Sequence, residues 1–325
     1  MRSYPLILLF ILFSEITFCN DFKRVDAYTR TVIKTEDFRQ MAKKLTAPFM
    51  TNQEKVRAIF VWITDNIKYD FEKYRTDRSN GGYTRIYGRS QKEIEIKRQK
   101  IKQEKVNKVY TSGKGVCEDY SYLFEAMCQA VGIEAKTITG YARFNPADIG
   151  RQTNTVNHAW NSVKIDGFWY LLDATWAAGT TDFRTGIFTK KFQEGFFLSD
   201  PAVFILNHFP EEPKWQLLPQ PISFEGFSMF PFVHDGFYDY NVIDYNPQIA
   251  FLNSKQKFTE IELNFQDFIP QIAVFDNNNL IKVDSLRRDN NIKLNIPTFG
   301  KYGSHIIVGV KNGNYFDPIL EYKIR

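Results

Sequence analysis

The stretch Gly113-Lys114-Gly115-Val116-Cys117-Glu118-Asp119-Tyr120 is the most informative part of this 325-residue sequence. Apolar residues follow it at the spacing of a core helix, at Tyr120, Leu123, Phe124, Met127, Cys128 and Val131. Gly132 comes next, and a glycine there can end a helix in the left-handed conformation. We therefore predict Cys117 at the first turn of a buried helix, where free amides and the helix dipole favour a thiolate.

Strands are predicted downstream of this helix, and two of them flank the dipeptide Asp166-Gly167, a strong signal for a two-residue hairpin turn. The predicted strands cover residues 133–144, 157–165 and 168–173. In the register of that turn, His158 and Asp173 become diagonal neighbours on one face of the sheet, about 7 Å apart at Cα. A bulged loop would reverse the parity and separate them.

Cys117, His158 and Asp173 are therefore the candidate catalytic residues. A thiolate attacks carbonyl carbon, a histidine can take the thiol proton as general base, and an aspartate can fix the tautomer of that histidine. Each residue also has a structural interpretation, as a small buried side chain, a hydrogen-bonded strand residue and a turn residue. Cys128 lies on the apolar stripe in mid-helix, so we assign it to packing.

The N-terminal residues predict export. Arg2 precedes an apolar run of eight residues, 6–13, which is too short for a bilayer span of about 20 residues. We interpret residues 1–19 as a signal peptide and predict an exported protein without a transmembrane segment. The alternative takes Cys19 as the lipidated residue of a lipoprotein box.

The amino-acid composition limits the classes of protein to which this chain can belong. The chain is 43% hydrophobic and 24% charged, which is typical of a folded globular protein of about two domains. Its most basic segment, residues 89–108, has glutamates interleaved with the lysines and arginines, which favours a solvated helix over a nucleic-acid site. The alternative for that segment, binding to an anionic surface, predicts strong salt dependence.

No cofactor and no metal are predicted. The sequence has neither a P-loop nor a dinucleotide fingerprint. Cys117 and Cys128 lack metal-ligand spacing, and the three other histidines lie far apart without acidic companions in a recognisable motif. Those histidines are His208, His234 and His305.

Two predicted regions follow the signal peptide, residues 20–218 and residues 219–325. The first begins with helical signals at 36–45 and from Thr51, where Thr51 and Glu54 have the spacing of a capping box, and it contains a charged insertion at 71–110. Pro219 and Pro221 mark the boundary. Short strand signals then predict a small β-sandwich, at 258–265, 271–275, 292–296, 305–310 and 319–324.

The residues around the three candidates resemble the transglutaminase-like superfamily of papain-type cysteine enzymes, and more narrowly its kyphoscoliosis peptidase branch. Five ordered blocks between Val56 and Leu218 support this resemblance. They are residues 58–70, 115–121, 157–161, 169–179 and 196–218. The resemblance implies Cys117 as nucleophile, His158 as base and Asp173 as orienting acid, in an α+β papain/transglutaminase-like core whose nucleophile helix packs on an antiparallel sheet.

The chemistry implied is acyl transfer from a protein or peptide substrate through a Cys117 thioester, to water in a peptidase or to an amine in a transglutaminase. We predict substrate contacts from Trp62, Tyr69, Tyr120, Trp160 and Trp176. Trp62 or Tyr69 is also a candidate to join the Cys117 amide in an oxyanion hole, while the tryptophans could equally belong to the core. The alternative function is a catalytically silent protein that binds a peptide or a cell-wall ligand in the same cleft.

Overall fold

The computed structural model describes residues 22–79, 87–152, 155–269 and 271–325. The predicted signal peptide, residues 1–19, lies outside these ranges, and so does Cys19. Within the described ranges, no helix combines the length and the apolar character needed to cross a membrane.

Helices form most of the chain before residue 131. The helices are α1 (Lys23–Thr31), α2 (Phe38–Thr46), α3 (Asn52–Asn66), α4 (Phe71–Ser79), α5 (Gln91–Ser112), α6 (Cys117–Ala130), α7 (Ala174–Ala178), α8 (Pro201–Phe204), α9 (Phe224–Ser228) and α10 (Asp235–Asp239). The capping box that begins α3 is confirmed, because Thr51 Oγ1 accepts from the Glu54 amide at 3.2 Å and Glu54 Oε2 accepts from the Thr51 amide at 3.3 Å. Gly132 has a φ of 78°, as predicted for the residue that ends α6.

Strands form most of the remaining regular structure. They are β1 (Lys68–Tyr69), β2 (Lys114–Gly115), β3 (Ala135–Ala142), β4 (His158–Ile165), β5 (Phe168–Leu172), β6 (Gly179–Thr181), β7 (Phe188–Lys190), β8 (His208–Pro210), β9 (Phe232–Val233), β10 (Val242–Asn246), β11 (Phe251–Leu252), β12 (Phe258–Phe265), β13 (Ile272–Asp276), β14 (Asn279–Ile281), β15 (Asp284–Arg288), β16 (Asn291–Pro297), β17 (His305–Asn312) and β18 (Tyr315–Ile324).

One antiparallel sheet carries the candidate residues, in the strand order β5-β4-β3-β8. The predicted register of its hairpin is confirmed, since Ile165 pairs with Phe168 and Asn161 with Leu172. Asp166 and Gly167 have φ values of 50° and 91°, the pair of positive angles that a two-residue turn of this kind requires. His158 and Asp173 therefore lie on the same face of the sheet, as the predicted register requires.

Helix α6 packs on this sheet and joins it to the N-terminal helices. Its apolar stripe, Tyr120, Leu123, Phe124, Met127 and Cys128, is fully buried in the main hydrophobic cluster, which also contains residues of α2 and α3. Cys128 is a core residue, as predicted. The predicted α+β core, with a nucleophile helix on an antiparallel sheet, is confirmed.

The charged segment forms the long helix α5, as the interpretation of a solvated helix requires. Its last turns bury Val106, Val109 and Tyr110, whereas its first turns are largely exposed. Two of its lysines are paired with carboxylates of α6, Lys102 with Glu125 and Lys105 with Glu118. The helix is thereby attached to the nucleophile helix along one side.

The C-terminal strands form two largely antiparallel sheets, as predicted for a β-sandwich region. One has the order β10-β12-β16-β15, and the other has the order β11-β18-β17-β13-β14 with β9 paired to β18. The boundary at residue 218 stays a prediction. Phe227, beyond it, packs with Ile205 and Phe209, and Arg143 at the end of β3 donates to the Phe230 and Pro231 carbonyls.

Candidate active site

Cys117 is the first residue of α6 and is held by the backbone just before it. The Val116 amide donates to Asp119 Oδ2 at 3.0 Å, which fixes the turn that leads into the helix. Gly115 is required there, since a Cβ at this position would lie 2.7 Å from Asp119 Cβ. The Cys117 side chain is half-buried, so its sulfur remains accessible while its amide lies in the free first turn.

His158 and Asp173 meet across the hairpin as predicted. His158 Nε2 lies 2.6 Å from Asp173 Oδ2, and the two side chains are 2% and 0% exposed. This contact uses the Nε2 atom of His158 and leaves the other ring nitrogen, Nδ1, outside it. Two of the three candidate residues are therefore in direct contact, and the third, Cys117, lines the same cavity as His158.

The electrostatics of this group favour an imidazolium. Burial by itself would lower the pKa of His158, but the Asp173 carboxylate and the hydrogen bonds to Asp173 and Cys117 raise it to about 10. His158 therefore carries a proton at neutral pH. A cationic imidazole beside the sulfur is the arrangement that stabilises a reactive thiolate.

The Asp173 carboxylate has four hydrogen-bond partners. Burial would raise its pKa, but His158 and His208 hold the pKa well below its usual range. Its Oδ1 atom accepts from the amides of Thr175 at 2.7 Å and Trp176 at 3.0 Å, because Asp173 also caps α7. Four donors thus fix the carboxylate as an anion in a site without solvent.

His208 is the residue that the sequence analysis missed. Its Nε2 lies 3.1 Å from Asp173 Oδ2, so the expectation that this histidine has no acidic companion is wrong. Its ring is fully buried and stacks on Phe204 at 4.0 Å and against Trp176 at 4.4 Å. Burial lowers the pKa of His208 to about 4, against the opposing effect of Asp173. A neutral His208 therefore donates to the carboxylate that orients the base.

This neutral histidine predicts a specific loss of stability in acid. The unfolded chain binds a proton at His208 near pH 6.5 and the folded chain only near pH 4, so stability falls as the pH decreases through that interval. Glutamine cannot titrate and can still donate to Asp173. In His208→Gln, the loss of unfolding free energy between pH 7 and pH 4 is expected to be smaller than in the wild type by up to about 3 kcal/mol.

Urea denaturation at the two pH values measures this difference. The comparison between variant and wild type removes the acid dependence that both proteins share through their carboxylates. Equal acid dependence in the two proteins would show that His208 titrates normally in the folded chain.

Three of these side chains could in principle hold a metal ion. His158, Asp173 and His208 bring one ligand atom each within 4.8 Å of one another. However, both imidazoles already bond to the same Asp173 oxygen, and a metal there would take the base away from Cys117. The described geometry of these three side chains therefore fits a hydrogen-bonded network.

A cavity of about 470 Å³ opens onto Cys117 and His158. Of the predicted substrate-contact residues, Tyr69 and Trp176 line it. Trp62, Tyr120 and Trp160 instead lie in the core at 2% exposure or less, where they offer no surface to a substrate. Trp62 stacks on Tyr110 with ring centroids 5.5 Å apart.

The far wall of the cavity comes from the C-terminal part of the chain, which the sequence analysis did not predict. It is formed by residues before and within α10 and by two residues of β18, namely Phe232, Val233, His234, Asp235, Gly236, Asp239, Asp317 and Pro318. Three of these are aspartates, and Lys191 pairs with one of them, Asp239, at 2.5 Å. The cavity therefore joins an aromatic side next to the sulfur to a more acidic side.

Comparisons with known proteins cover the segment that contains these residues. Residues 39–174, which contain all three candidate catalytic residues, match the family described as the transglutaminase-like superfamily. Kyphoscoliosis peptidases of Mus musculus and Homo sapiens are each 28% identical over 309 residues, covering 94% of this chain and 43% of theirs. The chain thus spans less than half the length of these relatives.

Two further similarities cover shorter segments. The Lim and transglutaminase domain protein ltd-1 of Caenorhabditis elegans is 30% identical over 157 residues, which cover 44% of this chain and 20% of that protein. The solved structure of a putative cysteine protease from Cytophaga hutchinsonii is 25% identical over 42% of this chain and 36% of its own, with a TM-score of 0.27. Residues 39–174 of this protein therefore match the transglutaminase-like superfamily, and 94% of the chain is similar in sequence to the kyphoscoliosis peptidases.

Proposed function

We propose that this protein is a cysteine enzyme that transfers acyl groups through a Cys117 thioester and hydrolyses peptide or amide bonds. The observation that carries the proposal is that Cys117 and His158 line one open cavity, while His158 is hydrogen-bonded to the buried Asp173 carboxylate. The side chain at each position matches the role it must perform, and His158 is protonated beside the sulfur. A substrate carbonyl in the cavity could therefore meet a thiolate and a proton donor together.

The type of reaction depends on which acyl acceptor reaches the Cys117 thioester. Water gives hydrolysis and a primary amine gives transamidation, and the same three residues serve both reactions. We propose hydrolysis of a protein or peptide substrate as the principal reaction. The kyphoscoliosis peptidases, whose name denotes peptide hydrolysis, support this choice.

We also propose that the protein acts after export. The support is the apolar run of residues 6–13 behind Arg2, with cleavage after Cys19. Expression of the full chain in a secreting host, followed by N-terminal sequencing of the exported protein, tests this. A mature N-terminus at Asn20 is expected, whereas a lipid-modified Cys19 at the N-terminus would support the lipoprotein alternative.

The test of the catalytic proposal is the pH dependence of iodoacetamide alkylation, located by mass spectrometry. A thiol without a cationic partner titrates near 8.5, so it is almost entirely protonated at pH 6. Cys117 is expected to react at pH 6 about 100-fold faster in the wild type than in His158→Ala. Cys128 is the internal control, because burial raises the pKa of its thiol well above the ordinary value.

A second measurement assigns the acceptor. Labelled casein is incubated with the enzyme and a fluorescent primary amine. Hydrolysis releases acid-soluble peptides from casein, and transamidation attaches the fluorescent amine to casein. Cys117→Ala is the blank. If Cys117 is as inert as Cys128 and indifferent to His158, the catalytic proposal fails and a binding role takes its place. Amine incorporation without peptide release would replace hydrolysis by transamidation.

A further inference from the structure

Tyr69 is fixed to the backbone of the nucleophile by three contacts. Strands β1 and β2 run parallel and pair Tyr69 with Gly115, two residues before Cys117. The Asp70 amide donates to the Gly115 carbonyl at 2.9 Å, and the Lys68 amide donates to the Gly113 carbonyl at the same distance. The Tyr120 hydroxyl, on α6 itself, donates to the Ile67 carbonyl at 2.7 Å. The phenol of Tyr69 therefore has a fixed position relative to Cys117.

The hydroxyl of Tyr69 is available as a hydrogen-bond donor. Its side chain lines the cavity with Cys117, and none of the residues that the structure describes hydrogen-bonds to its hydroxyl. Burial, and after it the negative charge of Cys117, raise the pKa of Tyr69 far above its usual value. The phenol thus keeps its proton at neutral pH, in the same cavity as Cys117.

Three other polar side chains of the cavity wall already donate hydrogen bonds to the protein. The Asn157 amide donates to the Ala142 carbonyl, the Asn207 amide to the Val233 carbonyl, and Lys191 to Asp239. Thr175 Oγ1 is buried away from the cavity solvent. Trp62, the other candidate from the sequence, is buried against Tyr110 and lies outside the cavity lining.

Trp176 is an aromatic rival in the cavity wall. Its ring packs on the two imidazoles, with centroids 5.4 Å from His158 and 4.4 Å from His208. Tyr69, in contrast, is paired with the strand that leads directly into Cys117. The oxyanion is the oxygen of the carbonyl carbon that the sulfur attacks, so a donor anchored to the nucleophile is better placed than one anchored to the base.

We propose that the Tyr69 hydroxyl, together with the Cys117 backbone amide, forms the oxyanion hole of this enzyme. The inference rests on the proposed acyl-transfer function and adds a catalytic residue to it. Cys117 Sγ attacks the carbonyl carbon, and the π electron pair moves onto the oxygen, which accepts hydrogen bonds from Tyr69 and from the amide. The pair then returns, the bond to the leaving group breaks, the leaving amine takes the proton of His158, and a thioester remains.

The variant Tyr69→Phe, which lacks the hydroxyl, distinguishes a role in the oxyanion hole from a structural role. Tyr69→Phe is expected to slow acylation of Cys117 by p-nitrophenyl acetate about 10²-fold, because that reaction passes through an oxyanion. Alkylation of the same sulfur by iodoacetamide forms no oxyanion, so its rate and pH profile should stay unchanged. Nitrophenolate release and mass spectrometry measure the two reactions on the full chain.

Matched variants complete the design. Tyr170→Phe deletes the hydroxyl of a partly exposed tyrosine on β5 and should leave both rates unchanged. Equal acylation in Tyr69→Phe and the wild type overturns the proposal, as does a parallel loss of acylation and alkylation, or a loss found in Trp176→Phe instead. Failure of the wild type itself to become acylated would contradict the proposed function rather than the choice of Tyr69.

Discussion

Replacing Asp173 with asparagine is expected to reduce casein hydrolysis by about 10⁴-fold, the size of the loss when the orienting carboxylate of such a triad becomes an amide. Asparagine can still accept the Thr175 and Trp176 amides, so α7 keeps its cap. Toward His158 it presents either a neutral oxygen or an N–H donor. The counter-charge of the imidazolium is lost in both cases, and in the second the ring is held in the tautomer that cannot take the thiol proton.

The controls for this variant use the same chain. Asp284→Asn makes the same chemical change at an exposed position on β15 and should hydrolyse casein at the wild-type rate. Cys128 should stay protected from iodoacetamide in Asp173→Asn, which shows that the core is intact. Hydrolysis within tenfold of the wild type, with the fold preserved, would mean that His158 does not depend on this carboxylate.

Arg57→Met is expected to cost about 3 kcal/mol of unfolding free energy. The guanidinium of Arg57 is 3% exposed and bonds to Asp26 at 2.8 and 2.7 Å and to Glu194 at 2.5 and 2.8 Å. It joins α1, α3 and the segment that follows β7, and three phenylalanine rings pack around it, those of Phe22, Phe192 and Phe197. Methionine fills the space but leaves two carboxylates facing each other without a cation.

The expected loss is at the low end for a broken buried pair, because Glu194 is 62% exposed and can turn toward water. Urea denaturation at pH 7 measures it. Arg30→Met removes a half-exposed partner of Asp65 and should cost less than about 1 kcal/mol. Adding Asp26→Asn and Glu194→Gln to Arg57→Met should restore part of the loss, whereas a further decrease would place the stabilisation elsewhere than in this charge cluster.

The sequence was sufficient where local rules determine geometry. Asp166-Gly167 fixes the turn, the turn fixes the register, and the register fixes which face carries His158 and Asp173. The position of Cys117 followed equally from two glycines and a helical stripe. These predictions concern residues that are close together in sequence, or that are joined by a hairpin whose turn length determines which residues pair.

The missed features depend on contacts between distant segments. His208 reaches Asp173 because β8 pairs with β3, and a three-residue strand has no periodicity that would predict this pairing. Its one signal was its position in the last of the five blocks that resemble the family. Trp62 and Trp160 show the other limit, since an aromatic residue near a cleft and one in a core have the same pattern in sequence.

The cavity wall is built from segments that are distant in sequence, so its parts can accept substitutions separately. Cys117 and His158 belong to α6 and β4, whereas another part of the cavity wall belongs to α10, β18 and the residues just before α10. Substitutions in that wall can change the size and charge of the space without touching the hydrogen bonds of Asp173. That side of the cavity can therefore change separately from Cys117 and His158, which lie on α6 and β4.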